Sequence, residues 1–300
     1  MSVDYPIFTL RSDDPVLTEQ LGSKPKFWFR FKEDTKVDWL FKYARPGTGE
    51  HWSEKVAYEV ARLIDLPAAR IELAQFEGKR GTASLNFVRR HEGEDLVHGD
   101  ELLAGHVTGY DRDKVFRHSD HSVSNIVKAV EAVFPGAEER HTELTQLAGY
   151  LVLDALIGNT DRHHQNWGVL RNRSETGVTH HRIAPTFDHA SSLGRNESEA
   201  SLERKLRDGT VLNYARKGRG GIFWLSGDKR GANPLDLVEM AAKQWPDYFR
   251  PWLQRCTPLD ESTFSSIVKA VPADWMTTNQ RLFCVRFLVS TGAELKNIPS

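Results

Sequence analysis

The stretch IGNTDRHHQNWGVL, from Ile157 to Leu170, decides how this chain is interpreted. It places an aspartate, an arginine, two histidines and two asparagines between two apolar segments. The pattern before it predicts a helix over residues 142–157, and WGVL after it predicts a short strand. The polar segment itself has three interpretations: a metal site built on histidines, a phosphate-transfer loop built on Asp161 and Asn166, or a polar surface turn.

Bulk composition narrows the class of protein. The chain has 300 residues, of which 39% are hydrophobic, and this predicts one large domain or two lobes. A net charge of -1 argues against bulk binding to nucleic acid or to a membrane surface. Cys256 and Cys284 form no metal-binding pattern, and no secretory signal is visible. We therefore expect a cytoplasmic protein without a direct nucleic-acid or membrane partner.

The first part of the chain predicts a small sheet that carries one helix. Residues 53–66 repeat apolar side chains with a helical period, and Pro67 ends the pattern. Aromatic or alternating segments bounded by turn residues predict the strands. The predicted strands are 26–31, 37–44, 69–76 and 81–88.

Helical patterns dominate after residue 95. The clearest cover residues 123–133 and 234–244, and several more follow residue 259. We predict an α+β fold with two lobes and a cleft between them. The predicted domains are an N-lobe of residues 1–88, a hinge of residues 89–95 and a mainly helical C-lobe of residues 96–300.

Three polar residues fit the chemistry of phosphoryl transfer. Asp161, on a loop after a helix, can orient or deprotonate an attacking hydroxyl group. The amide oxygen of Asn166, five residues later, can reach a magnesium ion. Asp188 lies beyond a predicted hairpin, and its carboxylate can complete the metal site and bridge it to nucleotide phosphates.

The predicted N-lobe offers the matching cation. Lys42 lies among aromatic and aliphatic neighbours, where its ammonium group is costly unless it meets an anion. Nucleotide phosphates would serve, with Glu54 holding the lysine in place. Glu59 is on the same predicted helix, but its polar neighbours predict a solvated side chain. The segment LGSKPKFWF, which begins at Leu21, could cover phosphates through its backbone N–H groups.

Three segments resemble the HipA-type serine/threonine kinases, including their shorter CtkA-like relatives: WLFKYARPGTGEHWSEKVAYEVARLIDLP, DALIGNTDRHHQN and APTFDHASSLG. The DRHxxN pattern also resembles the catalytic loop of phosphatidylinositol 3/4-kinases, which share the protein-kinase-like fold. The resemblance implies an ATP- and Mg²⁺-dependent serine/threonine protein kinase with a protein substrate, and a toxin that pairs with an antitoxin protein. It implies that Lys42 contacts phosphates and pairs with Glu54, that Asp161 is the catalytic carboxylate, and that Asn166 and Asp188 bind Mg²⁺.

The chain also departs from this family. Full-length toxins carry an additional N-terminal subdomain, for which these 300 residues leave no room. DHA stands where most protein kinases have DFG, and the predicted phosphate loop is poor in glycine. In the family a serine of that loop can be autophosphorylated, and Ser23 is the residue that matches it here.

Other interpretations remain open at this point. The backbone of Phe87 and Val88 is a candidate hinge for adenine. The basic segment Arg216–Arg219 is either a contact for an acidic or phosphorylated partner or a solvated connection. A small-molecule or lipid kinase would use the same residues, and a pseudokinase would use the fold for binding alone. His163, His164, His180, His181 and His189 leave a metallohydrolase as the alternative from another class.

Overall fold

The computed structural model of the chain describes residues 4–18, 25–32, 34–173, 177 and 179–299. The chain divides into two compact units, and each consists of three separate segments. The first unit consists of Met1–Phe87, Asp188–Val211 and Asp260–Val289. The second unit consists of Val88–Phe187, Leu212–Leu259 and Ser290–Ser300. The lobe boundaries given by the sequence stay a prediction.

The described part of the first unit contains a six-stranded sheet. Its strands in chain order are β1 (Ile7–Leu10), β2 (Pro15–Thr18), β3 (Lys26–Phe31), β4 (Asp34–Tyr43), β5 (Ile71–Phe76) and β6 (Lys79–Leu85). Their order across the sheet is β1-β5-β6-β4-β3-β2, with β1 parallel to β5 and the other neighbours antiparallel. The sequence predicted the four strands from β3 to β6 and did not predict β1 or β2.

An aromatic core covers one face of this sheet. Phe27 and Phe29 in β3 alternate with more exposed residues, and Trp39 and Phe41 do the same in β4. Side chains alternate between the two faces of a strand, so these four reach the same side and pack together. Lys42 follows Phe41 and therefore projects from the opposite face. Because side chains alternate along β4, the core residues lie on one face of the sheet and Lys42 lies on the other.

The helix of the first unit, α1 (Glu50–Leu63), is buried along most of its length and packs on β5 and β6. Val56 and Val60 are fully buried, as the helical period predicted. The helix ends before Asp65, which has a left-handed φ of 52°, and before Pro67. It begins three residues earlier than predicted. The other helices with residues in this unit are α5 (Glu199–Arg207), α6 (Val211–Lys217), α9 (Glu261–Lys269) and α10 (Thr278–Lys296).

The second unit combines a small sheet with helices. Its described strands pair antiparallel in the order β7 (Glu94–His98), β8 (Gly168–Arg173) and β9 (Thr179–Ile183). Its helices include α2 (Gly99–His106), α3 (Val123–Val133), α4 (Ala137–Ile157), α7 (Pro234–Gln244) and α8 (Pro246–Cys256). The helix α4 packs against α3, α7 and α8. Strand β7 begins inside the segment that the sequence predicted as a linker.

The C-terminal end of α4 delivers the chain into the polar stretch. Gly158 ends the helix in the left-handed conformation, with φ of 66°, and its N–H donates to the carbonyl oxygen of Asp154. Glycine adopts this conformation without the strain of a Cβ atom, so the chain turns sharply at that point. The polar loop therefore starts from a buried, well-packed helix. Within the described part of the chain, no helix combines the length and apolar character needed to cross a membrane.

Candidate functional site

In the first unit, three charged side chains meet on the face of the sheet opposite the aromatic core. The Lys42 Nζ atom lies 3.5 Å from Oδ1 of Asp188 and 4.0 Å from Oε1 of Glu54. The Lys42 side chain is only 14% exposed and Glu54 is buried, whereas Asp188 is 37% exposed. Burial alone would lower the pKa of Lys42, but Asp188 and Glu54 reverse this and raise it. The lysine is therefore a fixed cation at neutral pH.

Glu59, the other acid that the sequence considered on α1, has a different position. Its carboxylate is buried and pairs with Lys55 at 2.8 Å and with Arg62 at 2.9 Å. The prediction of a solvated Glu59 was wrong, because it ignored the cations one helical turn away on either side. Those contacts commit Glu59 to the structure of the helix.

The segment after Asp188 is tied to the start of α1. The Ser53 hydroxyl donates to the carbonyl oxygen of Ser192 at 3.0 Å, and the N–H of Gly49 donates to the carbonyl oxygen of Arg195 at 2.8 Å. The Arg195 guanidinium also donates to the buried carboxylate of Glu50 at 2.5 Å. These contacts fix Asp188 relative to Glu54. Asp188 itself has a φ of 61°, a region that few residues other than glycine, asparagine and aspartate adopt.

In the second unit, backbone hydrogen bonds shape the loop that carries Asp161 and Asn166. The N–H of Asp161 donates to Oδ1 of Asn159 at 3.1 Å. The amide nitrogen of Asn166 donates to the carbonyl oxygen of Asp161 at 2.8 Å, so the amide oxygen points away from that carbonyl group. The Asn166 side chain is thus oriented with its metal-binding atom defined. A direct hydrogen bond therefore joins Asp161 and Asn166, which are five residues apart.

A buried arginine braces the same loop. The Arg162 guanidinium makes two parallel hydrogen bonds to the carboxylate of Asp154 on α4, at 2.8 and 2.7 Å. It also donates to the carbonyl oxygens of Asn166 at 2.8 Å and Phe187 at 3.2 Å. Both charged side chains are about 5% exposed or less. Arg162 therefore joins the helix, both ends of the polar loop and the residue that precedes Asp188.

The side chains of Asp188, Asn166 and Lys42 have the chemistry needed for the predicted Mg²⁺ and ATP. The carboxylate of Asp188 and the amide oxygen of Asn166 are hard oxygen ligands of the kind that Mg²⁺ accepts. The Lys42 ammonium is a cation of the kind that binds nucleotide phosphates. The residues present therefore fit ATP and Mg²⁺.

Comparison with known proteins identifies the family. The model of the HipA-like C-terminal domain matches residues 19–245, which is more than half of the chain. The chain belongs to this family. No curated protein sequence gives a significant match.

Two solved structures show the fold of this family member. The proinflammatory kinase CtkA of Helicobacter pylori is 22% identical, with a TM-score of 0.73 over 91% of this chain and 92% of that chain. HipA of Shewanella oneidensis MR-1, solved with HipB and operator DNA, is 10% identical, with a TM-score of 0.58 over 96% of this chain and 66% of that chain. The predicted α+β, protein-kinase-like fold is confirmed.

Three further predicted site residues, Ser23, Phe87 and Val88, stay predictions. Ser23 lies outside the residues that the structure describes. Phe87 and Val88 follow β6, at the division between the two compact units. Their assignment as the adenine hinge stays a prediction.

The histidines beneath the polar loop form a buried cluster that the sequence did not predict. Nε2 of His121 accepts from the indole N–H of Trp167 at 3.1 Å, and its Nδ1 lies 2.9 Å from the carbonyl oxygen of Gly221. Nδ1 of His164 lies 2.9 Å from the Tyr110 hydroxyl oxygen. The His118 ring lies between these groups, 4.4 Å from the Tyr110 ring and 5.8 Å from the His164 ring. The cluster joins residues 110–121 to residues 164–167, so no local pattern could reveal it.

These contacts give the histidines a structural role in the family fold. His164 bonds to Tyr110, and Nδ1 of His163 accepts from the N–H of Gln165 at 3.2 Å. Across the described residues, no group of three or more histidine, cysteine, aspartate or glutamate side chains is placed to hold a metal ion. The hydrogen bonds of His163 and His164 are those expected of scaffold residues within and beneath the loop.

The buried histidines predict a loss of stability in mild acid. Burial lowers the pKa of His121 to about 3 and that of His164 to about 4. Their stabilising contribution is complete above the unfolded value of about 6.5 and declines as the pH falls towards these folded values. At pH 5 we expect the free energy of unfolding to be lower by about 2 kcal/mol for each histidine than at pH 8. Urea unfolding at the two pH values measures this difference.

A matched pair of variants tests the assignment. His121→Gln removes one buried titrating group and should reduce the dependence on pH. His91→Gln removes a histidine whose side chain is 79% exposed and should leave the dependence unchanged. Equal slopes in His121→Gln and the wild-type protein would contradict the prediction.

Proposed function

We propose that the chain is an ATP- and Mg²⁺-dependent kinase that transfers the γ-phosphoryl group to a serine or threonine hydroxyl of a protein. The observation that carries this proposal is the charge arrangement around Lys42. A buried lysine held by Asp188 and Glu54 at 3.5 and 4.0 Å is a prepared anion site. Membership of the HipA-like family and the fold shared with the kinase CtkA support the proposal.

Each residue then has a defined task. Lys42 binds phosphate oxygens, and Glu54 holds the ammonium group in place. Asp188 and Asn166 provide oxygen ligands for Mg²⁺, which when bound neutralises phosphate charge. The Asp161 carboxylate orients the substrate hydroxyl and accepts its proton as the oxygen bonds to the γ-phosphorus atom, while the bond to the β–γ bridging oxygen breaks and ADP leaves. Arg162 holds the loop in the required shape from below.

The decisive experiment identifies which acceptor receives the γ-phosphoryl group of ATP. The purified protein is incubated with γ-labelled ATP, Mg²⁺ and a cell lysate, and labelled proteins are hydrolysed for phosphoamino-acid analysis. Label in phosphoserine or phosphothreonine supports the proposal. Label only in small molecules or lipids would instead show a kinase of another substrate class. Normal ATP binding without any transfer would show a pseudokinase.

Two finer parts of the proposal concern regulation. HipA of Shewanella oneidensis MR-1 was solved with HipB, and by analogy we propose an antitoxin protein as a partner of this chain. We also propose that Ser23 is an autophosphorylation site. Mass spectrometry after incubation with ATP, compared between wild-type protein and Ser23→Ala, tests the second part.

Replacement of Lys42 should impair the use of ATP. Lys42→Met removes the cation that meets the phosphates, and we expect kcat/KM for ATP to fall by about 100-fold or more. Initial rates of phosphoryl transfer at varied ATP concentration measure this change. Lys79→Met is the matched control, because Lys79 is an exposed lysine of the same sheet that lies over the Tyr43 ring at 5.8 Å. Equal losses in both variants would show that Lys42 has no special role.

A further inference from the structure

A glycine-rich segment of the second unit lies directly against the Asp161 loop. A Cβ atom at Gly218 would lie 3.1 Å from Cγ2 of Thr160, the residue before Asp161. A Cβ atom at Gly221 would lie 2.8 Å from the carbonyl oxygen of Arg162. A Cβ atom at Gly221 would require the loop backbone to shift, and one at Gly218 would require a small shift of the Thr160 side chain. The segment therefore borders the position where a substrate hydroxyl would meet Asp161.

This segment is anchored at its base. Arg216 pairs with Asp236 at 2.5 Å and also with Glu294, so it is committed to the structure and not to a partner. The Asn233 side chain donates to the carbonyl oxygens of Ala215 at 2.8 Å and Gly218 at 2.9 Å. A segment held in this way presents its exposed side chains in fixed positions.

Two exposed cations stand on this anchored base. Lys217 and Arg219 flank Gly218 on either side, and both are exposed. The Arg219 guanidinium donates to the carbonyl oxygens of Arg216 and Gly218, at 3.3 and 3.0 Å, and these bonds orient it. The phosphoryl chemistry proposed above uses neither side chain. Because Gly218 between them lies against Thr160, the two cations border the loop that carries Asp161.

A large apolar side chain borders the same loop from another segment. Phe116 is 70% exposed, and its ring lies 6.0 Å from the ring of His163. The next residue, Arg117, has a φ of 53°, which is uncommon for arginine. The segment that carries Phe116 is joined to the glycine-rich segment, because the N–H of Phe223 donates to the carbonyl oxygen of His121 at 3.0 Å. One segment thus places an aromatic side chain beside the Asp161 loop, and the segment joined to it places two cations there.

We propose that Phe116, Lys217 and Arg219 form a substrate-binding surface that selects the polypeptide to be phosphorylated. The selected segment carries acidic residues near its hydroxyl group, which pair with the two cations, and a bulky apolar residue, which packs on Phe116. This inference rests on the proposed function and names its substrate class. An exposed aromatic ring and two cations that border the same loop suit a polypeptide of mixed character better than a phosphate backbone, and the net charge of the chain is only -1.

Paired peptides test this surface. Each has one serine flanked by glutamates or by glutamines, and each is made with leucine or alanine at the apolar position. We expect wild-type kcat/KM to be about tenfold higher for the glutamate peptide, the size of two exposed ion pairs. The variant K217E/R219E should lose this preference through a higher KM, with kcat at saturating peptide retained. F116S should lose only the preference for leucine, and K128E, on the exposed face of α3, should behave as wild type.

A binding measurement separates this inference from the proposed function. Fluorescein-labelled glutamate peptide should bind wild-type protein about tenfold more tightly than K217E/R219E, whether or not phosphate is transferred. Equal affinity of both proteins would overturn the surface even if the kinase is active. Peptide binding that depends on these residues without any transfer would instead overturn the kinase proposal alone. A labelled DNA duplex that binds only wild-type protein, with unchanged peptide kinetics, would also overturn the surface as a protein site.

Discussion

Asp161→Asn should lower kcat for phosphoryl transfer by about 1,000-fold and leave the fold intact. The substitution keeps the shape of the side chain and removes only its ability to accept a proton and to hold negative charge. The hydrogen bonds that shape the loop use the backbone of Asp161, through its N–H to Asn159 and its carbonyl oxygen to Asn166, and both remain possible. Transfer from γ-labelled ATP at saturating substrate measures the effect, and circular dichroism monitors the fold.

The control for this variant is Asp113→Asn, an exposed acid of the same unit. It changes the net charge by the same amount and should keep wild-type activity. A residual rate in Asp161→Asn within tenfold of wild type would remove Asp161 from the role of base. Loss of ATP binding in Asp161→Asn would also contradict the assignment, because the proposed role concerns the hydroxyl and not the nucleotide.

Arg162→Met should destabilise the protein by about 3–5 kcal/mol. The substitution leaves the carboxylate of Asp154 buried without its bidentate partner, and it removes the donor to the carbonyl oxygens of Asn166 and Phe187. An uncompensated buried charge is among the most costly single defects in a protein. Urea unfolding at pH 7 measures the loss, and transfer activity should decrease as well because the loop loses its brace.

A double variant distinguishes the cost of an unpaired Asp154 carboxylate from the effect of an unsupported loop. D154L/R162M replaces the ion pair by apolar side chains and should be more stable than R162M, since buried ion pairs exchange for apolar residues at little cost. Its transfer activity should stay as low as that of R162M, because the carbonyl oxygen of Asn166 still lacks the Arg162 donor. A double variant no more stable than R162M would mean that Asp154 is not the origin of the penalty. The exposed pair Lys243–Glu239 is the control, and K243M should cost less than about 1 kcal/mol.

The regular elements were predictable where a long apolar period runs without interruption. The helices α3 and α7 have the predicted bounds, and β3 matches its predicted bounds as well. The strands β1, β2 and β7 have only four or five residues, and β7 reads EDLVH, so hydrogen bonds to partner strands decide their structure and not the local pattern. Pro15 at the start of β2 is a further reason why no strand was predicted there.

The candidate site was predictable to a different degree in its different parts. Asp161 and Asn166 lie within one loop, so their spacing in the sequence was enough to predict them as site residues. Lys42, Glu54 and Asp188 came from the fit of residue types to one reaction and from resemblance, and the structure brings these three together. The contacts that support the loop connect residues distant in sequence, such as Trp167 with His121, and no periodicity encodes them.

The division of the chain into interleaved segments has a consequence for biosynthesis. The first compact unit needs the segments Asp188–Val211 and Asp260–Val289 in addition to the N-terminal sheet. The chain must therefore be synthesised through Val289 before this unit can complete its packing, so the usual order, in which the N-terminal domain folds first, is closed to it. Until then the start of α1 lacks its contacts with Ser192 and Arg195.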